Sequence, residues 1–427
     1  MFNIYAEFFK SDAFITIGKY LLVLLPVALP LMLLYTVWII RYRWVTMKYV
    51  EAQKTCLLEI RLPKEISKSP AAMEIFFSHL NQGGAAYFAE AFIDGRTRPW
   101  FSCEIVSTGG QVRFFVWCSQ AKFKNLVEAQ LYAQYPNLEI FEADDYTKDF
   151  YYDPEKYIMF GVQYTLTKPD PYPIKTYIDY GLEKDQKDEY KIDPITSVIE
   201  YLGSLKKGEN AWIQILLQKH EKEGIFHGNL GKPKDLKSEV ADAIKEIKES
   251  TLPEPEKGSE DKVIRFPNPT KGQQEVIAAL ERSATKTPYD CMIRSLYITE
   301  KKSFVPINIG AMIGSLKQYG SANLNGFRPQ VTTDVADWKK DYGRMFDFYQ
   351  KKLNEDIADT KKDLLYAYKL RSYFQRPYKN YGDTKPFVLT TEELATIFHF
   401  PSGIVSQTPT LKRVGSKKSE APSNLPI

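Results

Sequence analysis

The chain has 427 residues, 44% of them hydrophobic and 14% aromatic, which excludes wholesale disorder and leaves length for two to three domains. Lys and Arg number 57 against 53 Asp and Glu, a net charge of +4, so a strongly basic nucleic-acid protein is not indicated and any such role needs a local basic patch. The four cysteines, Cys56, Cys103, Cys118 and Cys291, stand far apart with no CxxC pair and no nearby His; this excludes the usual zinc spacings and fits buried, reduced thiols.

In chain order, the first predicted element is the uncharged run LLVLLPVALPLMLLYTVWII from Leu21 to Ile40. Its length suits about 30 Å of hydrocarbon. Tyr20, Tyr35 and Trp38 stand toward its ends, where amphipathic rings favour the headgroup zone. Pro26 and Pro30 predict a bend that a lipid-embedded helix tolerates. A cleaved signal peptide is the competing reading, but the run is longer than an ordinary apolar core, the preceding basic region is poor, and no A-x-A site follows. We therefore expect residues 1–18 outside the cytoplasm and a transmembrane helix over 19–41. Arg41, Arg43, Lys48 and Lys54 follow the run while only Lys10 and Lys19 precede it. The positive-inside rule then places the large C-terminal part in the cytoplasm, as a single-pass protein.

Beyond the run, LLEIRLP predicts a strand, and Ser69-Pro70 opens a helix carrying Met73, Phe76, Phe77 and Leu80. WFSCEIVS and VRFFVWC flank Gly109-Gly110 as a hairpin. A helix from Phe123 to Tyr135 and the strand NLEIFEA complete a βαββαβ order, the ferredoxin-like split unit. The same order repeats: strand MFGVQYTLTK, a helix opened by Asp193-Pro194, strand AWIQILLQ, strand YDCMIRSLYI, a helix around IGAMIGSLKQYG, and a weak closing segment near Phe327. The expected fold is α+β: a transmembrane helix, tandem ferredoxin-like domains over 55–150 and 155–330, and a C-terminal helical segment over 335–400. A charged insertion, 221–287, interrupts the second domain, and its Pro-Glu-Lys run TLPEPEKGSEDK predicts mobility. Within the helical segment, Met345 to Phe374 reads as one long charged helix with a single packed aromatic face. Thr391 opens a last helix with Glu392 and Glu393 in its first turn and Leu394, Ile397 and Phe398 on a buried face. Residues 401–427 have linker composition.

Motifs for the common chemistries are absent: there is no GxxxxGK[ST], GxSxG, HExxH or GxGxxG. His79, His220, His227 and His399 are scattered, so structural or surface roles are expected of them, and no catalytic residue, metal or cofactor is assigned. Asp144 and Asp145 fit an acidic metal site or, more economically, a turn. One cluster has residue types that grip phosphates and stack bases: Lys369, Arg371, Arg376 and Lys379, interleaved with Tyr368, Tyr373, Phe374 and Tyr378. Lys369, Arg371, Tyr373, Phe374, Arg376, Tyr378 and Lys379 are therefore the candidate nucleic-acid or partner contact. Packing or a protein interface is favoured, because the aromatic signature of RNA-binding sheets is missing.

The runs RLPKEISKSPAAMEIFF, FSCEIVSTGGQVRFFVW, NLVEAQLYAQYPNLEI, TKGQQEVIAALERS and TEELATIFHFPSGIVSQTPTLKRVGSKKSEAPSNLP occur in that order. They resemble the N-terminal, membrane-anchored region of bacterial type IV secretion or conjugation-type ATPases of the HerA/TraG-like group, from about Cys56 onward. The resemblance implies the bacterial inner membrane, and in that group the NLP phrase leads into a P-loop motor. Here the chain stops at Ile427, so the ATP-contacting residues of the group fall outside it and none is carried over. The stretch VTTDVADWKKDYGRMF departs from the Pro-Trp phrase of the group, which leaves the geometry between the second domain and the long helix open. The expected function is a non-catalytic membrane platform or accessory subunit that oligomerises or docks with a separately encoded P-loop ATPase. A membrane-anchored protein that guides DNA to a channel is the alternative. Expected partners are lipid, further copies of the chain and an ATPase subunit, with nucleic acid indirect.

Overall fold

In the structure, a computed structural model, residues 12–63, 68–82, 90–148, 150–183, 192–220, 235–251, 268–333, 347–374 and 385–401 are described. The chain divides into two units, Met1–Ala52 with Ala85–Thr97, and Gln53–Gly84 with Arg98–Ile427.

The first unit is built on α1 (Asp12–Ala52), a 41-residue helix that includes Pro26 and Pro30. It exceeds the expected 19–41 at both ends. Arg41, Arg43, Met47, Lys48 and Glu51 are good helix formers, and nothing after Ile40 breaks the helix before Ala52. The stretch Leu25–Ala52 is, among the described residues, the one helix long and apolar enough to cross a membrane. Its apolar side chains, among them Leu29, Leu31, Leu34 and Val37, are exposed. A helix of this kind near an N-terminus suits a membrane anchor or a signal sequence. A π-helical turn, Glu90–Asp94, packs on it: Phe92 stacks on Trp38 with ring centroids 3.9 Å apart. Gly95 follows at φ +67°, where a Cβ would meet the Val45 carbonyl oxygen at 2.4 Å, so only glycine admits this approach.

The second unit is organised by one antiparallel sheet. Its strands are β1 (Cys56–Arg61), β2 (Trp100–Thr108), β3 (Gln111–Cys118), β4 (Glu139–Glu142), β5 (Tyr157–Leu166), β6 (Glu209–Lys219), β7 (Pro288–Glu300), β8 (Phe327–Thr332) and β9 (Phe387–Thr390). They lie in the order β4-β1-β3-β2-β6-β7-β5-β8, with β9 on β7. The first four strands and the next four therefore have the same internal order, read from opposite ends. The halves meet at β2 and β6, paired from Trp100↔Gln218 to Thr108↔Asn210. Both outer edges are blunted: β4 has four residues, and β8 carries Pro329 and a register shift opposite Gln163 and Tyr164.

Helices α2 (Ala71–Leu80), α3 (Lys124–Gln134) and α4 (Pro194–Gly203) contribute to the main core on one sheet face. Met73, Phe76, Leu131, Ile195 and Val198 pack there with Ile60, Cys103, Phe114 and Ile213. Asp193 caps α4 by accepting from the Ile195 N–H at 3.1 Å, with Pro194 at the first helical position. In the insertion, α5 (Leu236–Ser250) and α6 (Lys271–Ala284) share a small core of Leu236, Val240, Ala243 and Leu280. Most of the TLPEPEKGSEDK run lies outside the described residues. A short helix, α7 (Ile307–Gly314), precedes β8.

The region expected to be helical over 335–400 is not helical throughout. It holds α8 (Asp347–Lys369), then strand β9, then α9 (Thr391–Ile397). Because β6 occupies one side of β7, β9 takes the other at Pro288–Cys291, which β5 does not reach. Phe387-Val388-Leu389-Thr390 is rich in strand-favouring types, and that open edge supplies its partners. Thr390 and Glu393 form a capping box, and every residue of α9 is buried, the acidic first turn included. The linker-like tail from 402 onward lies outside the described residues.

Candidate functional site

The face of the sheet opposite the main core carries a row of polar residues in register. Glu104 of β2 lies opposite Gln214 of β6, Gln214 opposite Arg294 of β7, and Arg294 opposite Gln163 of β5. All four are fully buried. Each sits among buried apolar residues of its strand, and such groups are retained only where hydrogen bonds replace water.

The partners come from the end of α8. Ser372 N–H bonds the Ala367 carbonyl at 3.1 Å and Arg371 N–H the Tyr368 carbonyl at 3.0 Å, the paired bonds of a Schellman terminus. The position that favours glycine in this motif is Arg371, at φ +49°. A left-handed non-glycine residue costs about 1–2 kcal/mol, and the Arg371 side chain offsets it. Nε and Nη2 fork onto Glu104 Oε1 and Oε2 at 3.0 and 3.1 Å. Nη1 reaches Asp145 Oδ2 and, at 2.8 Å, the Lys369 carbonyl, and Nη2 also donates to Asp145 Oδ1 at 3.2 Å. All five guanidinium N–H groups thus have acceptors. Glu104 accepts further bonds from Ser102 Oγ, Gln214 Nε2 and Tyr146 Oη at 2.7–2.8 Å.

Arg294 completes the clamp from the other half of the sheet. Its Nε donates to Gln214 Oε1 at 2.6 Å, and Nη1 and Nη2 donate to the Ser372 and Ala367 carbonyls at 3.4 and 2.7 Å. A cation at a helix C-terminus complements the dipole there. Burial pushes the Arg294 guanidinium down to about 9. Burial also opposes the charge on Arg371, but Glu104 and Asp145 prevail and hold it above its ordinary value. Asp145, despite burial, is held below the usual carboxylate range by Arg371. Two carboxylates face two guanidiniums, and Trp100 Nε1 donates to the Arg371 carbonyl at 2.8 Å.

The sequence-derived cluster is therefore divided. Arg371 and Tyr373 are 1% exposed, so neither presents charge or ring to a nucleic acid. Lys369 is half-buried, its Nζ over the Tyr151 ring at 4.4 Å, and Phe374 packs edge-on against Tyr373. Arg376, Tyr378 and Lys379 lie outside the described residues. Asp145 makes the expected turn, accepting from Thr147 N and Oγ1 at 3.0 and 2.8 Å. Its ion pair with Arg371 is new, as is the whole ladder; the signal was Glu104, Gln214 and Arg294, large polar side chains in the middle of strands that read as core.

Several other titratable groups are also internally paired. His220 Nδ1 lies 2.6 Å from Asp290 Oδ1, and His399 Nε2 2.8 Å from Asp193 Oδ1. Arg282 bonds Glu392 and Asp179 at 3.0 Å each, and Lys286 bonds Glu74 at 2.6 Å, tying α6 to α9 and α2. His79 bonds the Ile75 carbonyl within its own helix, and His227 lies outside the described residues. All four cysteines are buried and free. Among the described residues no group of three or more His, Cys, Asp or Glu is placed to hold a metal ion. What this arrangement can do is lock α8 to both halves of the sheet.

Residues 49–412 match the family model described as Domain of unknown function (DUF8128). That is most of the chain, which therefore belongs to this family. No curated protein matches it significantly.

Proposed function

With membership of that family as the premise, we propose that this chain is a non-catalytic, membrane-anchored platform of a type IV secretion or conjugation-like translocation system. It oligomerises or docks with a P-loop ATPase. In this reading α1 spans the bacterial inner membrane once and the sheet unit lies in the cytoplasm; the basic residues after Ile40 and the buried free cysteines support that side. The two halves of the sheet are read as tandem ferredoxin-like units, which the shared strand order supports.

The observation that carries the proposal is the internal use of chemistry-bearing groups. The buried acids, bases and guanidiniums of the sheet unit bond one another and fix α8, α9 and the insertion in place. A framework held this way suits positioning a partner more than turning over a substrate. The DNA-guiding alternative loses Arg371 and Tyr373 to the interior. The test is native mass spectrometry of the full chain from detergent, alone and with a purified type IV secretion-type ATPase. Oligomers or a stoichiometric complex are expected; a monomer that binds no such ATPase overturns the proposal.

A further inference from the structure

The first unit contains a feature that membrane spanning alone does not require: a helical turn held against α1 where the apolar run ends. Phe92 stacks on Trp38, two residues before Ile40, so its ring sits about 3 Å inside the end of the apolar run. Arg41 lies over the same Phe92 ring, 5.7 Å from its centroid. Gly95 touches the Val45 backbone. Trp38 and Val45 are seven residues apart, about 10 Å along the axis, whereas the headgroup zone of one leaflet is about 5–7 Å deep. The turn thus runs along α1 through the level that headgroups occupy, if α1 spans.

Its composition suits that level. Ile93, next in sequence to the Phe92 that stacks on Trp38, is 60% exposed. Arg96 and Glu90 form a 3.1 Å ion pair. On α1 itself Tyr42 and Trp44 are exposed, and Lys48 lies 3.8 Å from the Trp44 ring centroid. Aromatic rings with cations over them, next to an exposed aliphatic side chain, are what the boundary between hydrocarbon and headgroups accommodates.

We propose that the turn Glu90–Asp94 is a second membrane-contact element, an interfacial brace whose occupant is the lipid bilayer. It places Ile93 at the hydrocarbon boundary and fixes how deep α1 sits. The inference rests on the reading of α1 as a membrane span, and the test separates the two. Spin labels are attached singly through L31C, I93C and E155C in the full chain, in vesicles of phosphatidylcholine and phosphatidylglycerol. The four native cysteines are buried, so unsubstituted protein serves as the labelling blank. Collision with oxygen is compared with collision with a water-soluble nickel chelate.

The expected result is an oxygen-to-nickel ratio several-fold higher at residue 93 than at residue 155, and highest at residue 31. A high ratio at 31 with a water-like ratio at 93 overturns the brace and leaves the span standing. A water-like ratio at 31 removes both. Adding Gly95→Ala, whose Cβ meets the Val45 carbonyl oxygen at 2.4 Å, should move the ratio at 93 toward the value at 155 and leave 31 unchanged. No change at 93 would show that the turn is not held by α1, and would likewise overturn the brace.

Discussion

Replacing Arg371 with Met keeps much of the side-chain volume and removes the fork that joins α8 to β2. Glu104 is 0% exposed and would keep only Ser102, Gln214 and Tyr146 as donors, while Asp145, at 22% side-chain exposure, can turn toward water. Removing one partner of a buried ion pair typically costs about 3–5 kcal/mol, and about 4 kcal/mol is expected for R371M. R371G relieves the left-handed strain, about 1–2 kcal/mol, but empties the buried space that Met fills, at about 2–5 kcal/mol, and should therefore be at least as harmful as R371M. Pairing R371M with Glu104→Gln removes the orphaned Glu104 charge that R371M alone leaves behind, so the two losses should fall short of their sum by about 2–3 kcal/mol. The assay is guanidinium unfolding of the full chain in detergent, followed by tryptophan emission. Trp100 and Trp117 lie around the clamp, and Trp212 packs on Tyr146 and Tyr368. A loss below about 1 kcal/mol for R371M, or strict additivity with E104Q, would refute the claim that the clamp carries a desolvated charge pair.

Two further outcomes follow from the packing and the titrations. A Cβ at Gly161 would lie 2.1 Å from Leu364 Cδ2 and 2.8 Å from Leu296 Cδ2, so G161A should destabilise the docking of α8 by about 1–3 kcal/mol; L364A alone should cost about 2–5 kcal/mol, and the double variant, in which the new methyl enters the vacated space, less than the sum in the same unfolding assay. At the corner of Asp170, Glu239, His220, Asp290 and Arg98, burial pushes Asp170 up to about 6, and the bond to Asp290 raises His220 above its ordinary 6.5. Both folded values are raised, so both contributions are full at low pH and fade as pH rises: Asp170 between about 4 and 6, His220 above 6.5. A Tm profile from pH 4 to 8 should flatten in its lower part in D170N and in its upper part in D290N; parallel profiles for all three proteins would refute the assignment.

Much of the local architecture was legible because local rules govern it. The apolar run before Ile40, the hairpin at Gly109-Gly110 and the Asp193-Pro194 helix start are each written in a few adjacent residues. The end of α1 was misplaced because charge marks where lipid ends, not where a helix ends. Strand β9 escaped notice because four residues are too few for alternation to register, and its stability comes from a vacant stretch of β7 about a hundred residues earlier. The cluster at Lys369 to Lys379 shows the deeper difficulty. Basic and aromatic residues interleave in the same way on a nucleic-acid surface and at a helix end turned inward, and the partner that decides for Arg371 is 267 positions away in sequence. The clue lay elsewhere, in the large polar residues at the middle of β2, β6 and β7.

The meeting of β2 and β6 also has a consequence during synthesis. Thr108 leaves the ribosome about a hundred residues before Glu209, and at about 5–20 residues per second the inner edge of β2 waits roughly 5–20 s for its partner. An apolar strand with a bare edge invites pairing with any neighbouring chain. Glu104, in the middle of that edge, bears its charge through the wait and discourages such encounters. The residue that is expensive to bury in the finished sheet is also the one that guards it while half of it is still unmade.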